Sequence, residues 1–593
     1  MVKFIAFLSL PLLLLSGCGD SKPKTQKKTS KVVEKPFKLE QAGDFDPIAS
    51  SKAKKGGSFS TWAGPFPKSL NMFLDYNSFS ASIMGLFYEP LASLHSQKNI
   101  PVGHLAESWE ISKDQMTYTF KIHPKAIWSD GKDITAEDIQ FYYDVMMNPK
   151  NLTSIFRVDL KRFDRPEVVD AKTIRIKAKE KHWKNFWAVA GLVAFPKHIW
   201  EGKNFNKINF EFPVVSGPYQ LEEVQKGRFI SLKRRGDWWG LIKKYNQYKY
   251  NFDFLKFRAV ENRTKVLEMF KKGDLDLLPI YTSKIWAKQT QFDAVNKNWV
   301  IRQQVYNKEP MGFQGLAINL RKKKFQDKRV RLALCYLMNR DLMNEKLMYN
   351  QYFMLNTYYP DLYDKNINPN LTTIAFDESK ARALLKEAGW TVNEQGKLTK
   401  EGEIFKINFM TYNPDMRHLN MYSEALKSVG IVATIEQLSA SSIRKRIDKH
   451  EFDLYWQAWG AGRLRDPENM WHSKQAMEIA TSNRSGVQDP EIDKLIELQK
   501  TEESLDKRNE ILKQIDQRLG DIVPYVLLWQ IGFHRILYWN QFGMPTTVLD
   551  KFNREDSAMI YWWHSPEREK ALKAAKAAKK ELQPQPKDLF YRE

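Results

Sequence analysis

Residues 117–146 read TYTFKIHPKAIWSDGKDITAEDIQFYYDVM, and both periods of a layered α/β fold lie in this one stretch. Tyr118, Phe120 and Ile122 alternate with polar residues, as one face of a half-buried strand does. Trp128-Ser129-Asp130-Gly131 turns the chain. Thr135-Ala136-Glu137-Asp138 then resembles a capping box with Asp in place of Glu, opening a helix whose apolar face is Ile139, Tyr142, Tyr143 and Met146. A strand handed on to a helix predicts mixed α/β layers.

The same alternation runs outward along the chain. Val266, Met269 and Phe270 share a helix face that Gly273 closes ahead of a strand from Leu275 to Ile280. Asp327 caps a helix carrying Val330, Leu334, Leu337 and Met338. Asp377 caps another, bearing Ala381, Leu384, Leu385 and Ala388, which Gly389 ends. Pro524, inside an apolar run from Ile522 to Trp529, suits an edge or crossing strand. A chain of 593 residues predicts two or three domains.

Lys3 precedes an apolar run from Phe4 that ends in Leu15-Ser16-Gly17-Cys18. At about 12 residues the run is too short to span a bilayer, so residues 1–17 read as an export signal. A cysteine directly after these small residues looks like a bacterial lipobox, which predicts a diacylglycerol on Cys18 and anchorage in the cell envelope. Residues 18–55, rich in Lys, Ser and Pro, read as a flexible tether. Residues 566–593 read as a basic tail, with a Lys/Ala helix from Glu567 to Glu581. Cys335, the other of two cysteines, is expected to be a buried small hydrophobe.

Signals for catalysis are missing. The ten histidines include no pair at i,i+4 spacing for zinc, and neither a Gly-x-Ser-x-Gly elbow nor a phosphate-binding loop is present. No metal or cofactor is expected. Although the net charge is +23, much of the excess lies in the two tails beside the anchor, which favours anionic headgroups over nucleic acid.

A series of short motifs carries a family resemblance. Tyr88-Glu89-Pro90-Leu91, Leu105-Ala106-Glu107-Ser108-Trp109, Trp128-Ser129-Asp130-Gly131, Ser216-Gly217-Pro218-Tyr219 and Trp238-Trp239-Gly240 occur in order, followed by Arg329-Val330-Arg331 and Asn339-Arg340-Asp341. Together they resemble the extracellular solute-binding proteins of family 5, the peptide and nickel receptors of ABC importers. Trp471-His472-Ser473-Lys474-Gln475-Ala476 and Ser482-Asn483-Arg484-Ser485-Gly486-Val487 are similar to the Yej-type oligopeptide and microcin-C branch.

The resemblance implies a two-lobed periplasmic-binding-protein clamshell without catalysis. Lobe one would be 56–312 with a return at 529–565, and lobe two 313–528. It also implies a monomer that binds peptides between closing lobes and hands them to a permease. The alternative is an exported hydrolase of peptides or cell-wall fragments. Family members that bind peptides place an Asp three residues after the cleft Trp to meet the ligand amine. Here Trp459 is followed by Gly460-Ala461-Gly462, so that acid is missing.

Asp466 either replaces it or caps the turn at Asp466-Pro467. Arg463 and Arg465 either pair with a ligand carboxylate or phosphate or form a solvated loop edge. Asn483 and Arg484, as branch markers, are expected near the ligand. Trp456 follows an alternating strand, and one of its faces lines the core while the other can line the cleft. Trp62, on the first strand, is a further candidate for ligand contact.

Overall fold

The computed structural model describes residues 43–71, 78–207, 209–212, 214–412 and 415–591. The expected export signal and Cys18 lie outside them. No helix among the described residues is long and apolar enough to cross a membrane.

The chain forms two lobes. Lobe one is built on an eight-stranded sheet in the order Asp588–Phe590, Val300–Tyr306, His534–Trp539, Leu277–Pro279, Ser58–Gly64, Phe254–Ala259, Phe229–Arg234, Tyr219–Gln225. A four-stranded antiparallel sheet, Ala106–Ile111, Thr117–Ile122, Thr173–Lys177 and Glu167–Asp170, packs into the same apolar core. Its helix Ala136–Met147 follows the pattern of residues 117–146. Thr135 N–H donates to Asp138 Oδ2 at 2.9 Å, and Ile139, Tyr142, Tyr143 and Met146 are buried.

Lobe two is a five-stranded sheet, ordered Val432–Gln437, Lys406–Thr411, Leu454–Ala458, Gln314–Ile318, Tyr525–Leu527. Asp327 and Asp377 cap helices Lys328–Tyr336 and Glu378–Glu387 as their sequences predict, accepting from the N–H groups of Arg329 and Lys380. Cys335 is buried, and burial pushes its thiol up to about 12.

Two segments cross between the lobes. The chain leaves the first sheet after Tyr306 and enters the second at Gln314, then leaves after Leu527 and re-enters at His534. At the first crossing a Cβ on Gly312 would lie 1.7 Å from the Trp459 carbonyl oxygen, so only glycine fits there. The strand around Pro524 is shorter than expected. Ile522 ends the helix Leu505–Ile522, and Tyr525–Leu527 begins after the proline, at the sheet edge. Trp529–Gln530 pairs with Phe353–Met354, so the return keeps lobe-two partners beyond residue 528.

Both expected tails are corrected where they are described. From residue 43 the N-terminal segment docks on lobe one through Asp46, which is 1% exposed. Asp46 accepts from Lys249 Nζ (3.2 Å), the Tyr561 hydroxyl (2.9 Å) and Ser96 Oγ (2.8 Å). The C-terminal tail is folded too. Helix Pro566–Ala578 buries Leu572 and Ala575 against the eight-stranded sheet, and Lys576 lies over the Trp539 ring at 3.7 Å. Asp588–Phe590 extends that sheet in parallel to Val300–Tyr306. Composition pointed to solvation, but two apolar residues at helical spacing and one edge strand are enough to dock a tail.

Candidate functional site

Cavities gather where the lobes meet at the crossings. One, of about 200 Å³, is lined from lobe one by Tyr281, Arg535, Arg554 and Glu555, from the crossings by Glu309, Pro310, Gly312 and His534, and from lobe two by Tyr352, Trp459 and Gly460. A second, of about 460 Å³, shares Glu309, Pro310, Ala461 and Arg554 with the first and adds Ser82, Phe552 and Asp556. A larger cavity, about 1280 Å³, lies elsewhere, among residues 47–54, 543–551 and 563–568, all on lobe one. Closing one lobe on the other leaves that cavity uncovered. The crossing cavities are therefore the ones a clamshell can seal.

The crossing cavities are strongly polar. Glu309 bonds Arg554 Nε at 2.5 Å and lies 3.3 Å from His534 Nε2. The Tyr281 hydroxyl donates to Glu555, and Ser82 Oγ donates to Asp556 Oδ2 at 2.9 Å. Burial pushes the carboxyls of Glu309, Glu555 and Asp556 up, and it lowers His534 to about 4, leaving that ring neutral at pH 7. Arg535, 4% exposed, donates from Nη1 to Ser283 Oγ at 3.3 Å, whereas its Nε and Nη2 have no hydrogen-bond partner.

The residues singled out from sequence fall into three groups. Trp459 lines the smaller cavity, its indole donating to the Tyr525 hydroxyl at 3.1 Å. Trp62 stands beside it in a small recess with Tyr281, donating to the Val260 carbonyl at 2.8 Å. Trp456 donates to Gln314 Oε1 at 3.2 Å and packs on the lobe-two core.

A second group is committed within lobe two. Asn483 is fully buried and ties its own turn, accepting from the N–H groups of Gly486 and Val487. Arg484 pairs with Asp448 at 3.1 Å, and Arg465 with Asp361 at 2.5 Å. Asn483, Arg484 and Arg465 thus hold loops of lobe two, although Arg484 Nε and Arg465 Nε have no hydrogen-bond partner.

The third group joins the lobes. Arg463 donates to lobe one, to the carbonyls of His95 (2.7 Å) and Lys98 and to Asn99 Oδ1 (3.0 Å), with its guanidinium 4.0 Å from the Phe552 ring. Asp466 caps its turn by accepting from Glu468 N–H at 3.0 Å, which was one of its two expected roles. Its Oδ2 faces lobe one, 3.7 Å from His182 Nε2 and Lys184 Nζ and 3.9 Å from Arg162. Arg162 bonds Glu468 across the boundary at 3.1 Å, and the Trp183 indole donates to Gln499 Oε1 at 2.9 Å. These contacts form a latch. His182, Asp466 and Glu468 place ligand atoms within 4.8 Å of one another, but Arg162, Lys184, Lys474 and Lys500 already neutralise both carboxylates.

The latch has a predictable pH response. Burial lowers His182 to about 4, so it is neutral in the closed state, whereas a solvated ring titrates near 6.5. Burial alone would raise Glu468, but hydrogen bonds from Lys474 and Lys500 hold it at about 2. Both folded values are depressed, so both contributions are present at neutral pH and are lost as pH falls, His182 between about 6.5 and 4 and Glu468 between about 4.5 and 2. Small-angle scattering of the closed protein, taken from pH 7 to pH 4, is therefore expected to show the radius of gyration rising. A constant radius would contradict the latch.

Sequence missed Glu309, Arg535, Arg554, Glu555 and Asp556. For two of them the signal available was position: Glu309 lies in the first crossing and Arg535 directly after the second, whereas residues 554–556 precede the helix Ser557–Tyr561 and carry no such signal.

Comparison with known proteins matches residues 101–478 to the family model "Bacterial extracellular solute-binding proteins, family 5 Middle". The chain is 25% identical over 551 residues to a probable peptide-binding protein YejA of Agrobacterium fabrum, covering 85% of this chain and 89% of that one. It is 22% identical to a peptidoglycan-binding protein YepA of the same organism, covering 87% and 92%. The oligopeptide-binding protein AppA of Bacillus subtilis, solved with a nonapeptide, has the same fold, with a TM-score of 0.70 at 20% identity over 87% of this chain and all of that one.

Proposed function

The chain belongs to the bacterial extracellular solute-binding proteins, family 5, and from that premise we propose that it binds peptides or peptide-like solutes at the crossings and delivers them to a membrane permease. It is a binding protein and not an enzyme. The observation that carries the reading is the pair of adjoining cavities whose walls come from both lobes and both crossings. Strand edges and polar side chains there can hold an extended chain, while the latch closes the lobes over it. In place of the acid missing at Gly462, Asp556 lines the second cavity and can meet a ligand amine, beside a Glu309 that is paired with Arg554. A diacylglycerol on Cys18 would keep the receptor beside its permease, with the lobe of the eight-stranded sheet and its docked tails closing on the lobe of the five-stranded sheet.

The names of the relatives point to oligopeptides and cell-wall peptides as the first solutes to test. Ligand-stripped protein mixed with pools of di- to hexapeptides and muropeptides is expected to unfold at a higher temperature and to leave the solutes intact. Turnover of a solute would favour the hydrolase instead, and no shift with either pool would refute the peptide reading.

A further inference from the structure

We propose that residues 586–591 form a strap that holds lobe one in the shape lobe two closes on, with Tyr591 as its positioning residue. The proposal rests on the reading of the crossings as a site that closes. It adds which part of lobe one makes the closing surface rigid.

The strap contributes little to the core of lobe one. Leu589 packs against that core, whereas Phe590 is 59% exposed. Its contacts run instead to the parts around which the lobes move. The carbonyls of Pro586 and Lys587 accept from Gln303 Nε2 and Gln304 N–H, each at 2.8 Å, and Tyr591 N–H donates to the Tyr306 carbonyl at 2.7 Å. Tyr306 is the last residue of its strand before the first crossing. Phe590 stacks on the Tyr306 ring with centroids 4.5 Å apart. Phe533, directly before the strand that receives the second crossing, lies 4.9 Å from the same ring. Both crossings therefore meet lobe one at a ring that the strap covers.

From there the strap reaches the loop 95–99. The Tyr591 hydroxyl accepts from Gln97 Nε2 at 2.9 Å. Gln97 stands between the two carbonyls, of His95 and Lys98, that Arg463 of lobe two grips. On its other side the loop is tied through Ser96, whose Oγ donates to Asp46 and whose N–H donates to the Tyr245 hydroxyl at 2.9 Å.

The grip needs a rigid loop. A guanidinium is a planar fork with donors in fixed directions. Arg463 makes all its bonds only when the His95 and Lys98 carbonyls and Asn99 Oδ1 are held in place together. Lys98, Asn99 and Ile100 are exposed, so burial does not hold them, and the ties at Ser96 and Gln97 do. With the Gln97 tie gone, the loop has to be ordered afresh at every closing, which moves the balance toward open.

The test compares the parent, Tyr591→Phe and a chain ending at Gln585, each ligand-stripped, and repeats the comparison with Arg463→Ala added. Two quantities are read. One is hydrogen exchange of the loop 95–99 amides without solute. The other is the concentration of the di- to hexapeptide pool at which the radius of gyration has fallen halfway. Ending the chain at Gln585 is expected to raise both about 10-fold, the effect of freezing about one backbone residue. Tyr591→Phe keeps the ring and loses the hydroxyl, and should raise both about 5-fold. With Arg463→Ala, either change should leave the half-closing concentration where Arg463→Ala alone puts it.

A tail that serves stability alone would lower the unfolding temperature and leave loop exchange unchanged, and that result overturns the strap. Faster exchange with an unchanged half-closing concentration overturns it too. So does a rise in that concentration that is as large with Arg463→Ala as without it. If the pool fails to close the parent, the peptide reading is refuted and exchange alone decides: a faster loop in Tyr591→Phe supports the strap, and an unchanged one overturns it.

Discussion

Asp516→Ala is expected to destabilise lobe two by about 4 kcal/mol. The Asp516 carboxylate is fully buried and accepts four hydrogen bonds, from Thr357 Oγ1 (2.7 Å), Tyr358 N–H (2.8 Å), the Tyr363 hydroxyl (2.9 Å) and Asn368 Nδ2 (2.8 Å). Burial pushes this carboxyl up, and the four donors act against that rise. It joins helix Leu505–Ile522 to the loop 357–368, which packs beside the buried core residues Trp471 and Tyr525. Alanine would strand four donors in a dry core, at roughly 1–3 kcal/mol each before relaxation. Asn in the same place keeps one acceptor but turns an amide donor toward other donors, so Asp516→Asn should fall between. Urea unfolding followed by tryptophan fluorescence measures the loss. A midpoint for Asp516→Ala within error of the parent would show that the network contributes nothing.

Arg162→Ala is expected to move the open–closed balance toward open by about 30-fold, or about 2 kcal/mol. Arg162 is 10% exposed, and its partner Glu468 is 7% exposed. Breaking a buried pair by removing one partner can cost about 3–5 kcal/mol. The smaller figure applies because Lys474 and Lys500 still neutralise Glu468. Since Arg162 joins lobe to lobe, folding of each lobe should survive while affinity for the solute drops, because closing and binding are linked. Titration of the variant with the di- to hexapeptide pool, alongside its unfolding temperature, separates the two effects. Unchanged affinity would remove the ion pair from the closing mechanism.

The fold was legible in the sequence where periodicity was strong. The helices capped by Thr135, Asp327 and Asp377 form where their patterns place them, because caps and apolar faces are local signals. The site was less legible. Arg535 and Glu309 stand alone in segments that read only as strand and crossing, and the Ser283 and Arg554 side chains they bond come from more than 200 residues away. Trp459 was found because a motif marks it. Asn483 and Arg484 carry an equally clear motif, yet buried Asn side chains tie turns as readily as they bind ligands, and only the hydrogen bonds decide which. Arg463 and Asp466 were marked as candidates, and in the structure their contacts run to the other lobe. A sequence does not say which lobe a loop will face.

The central claim is that solute bound at the crossings closes one lobe on the other. Small-angle X-ray scattering of ligand-stripped protein, with and without the di- to hexapeptide pool, tests it most directly. The radius of gyration should fall when peptide is added and should not fall when Arg162→Ala is treated identically. Peptide that binds the parent protein while its radius stays constant would contradict closure.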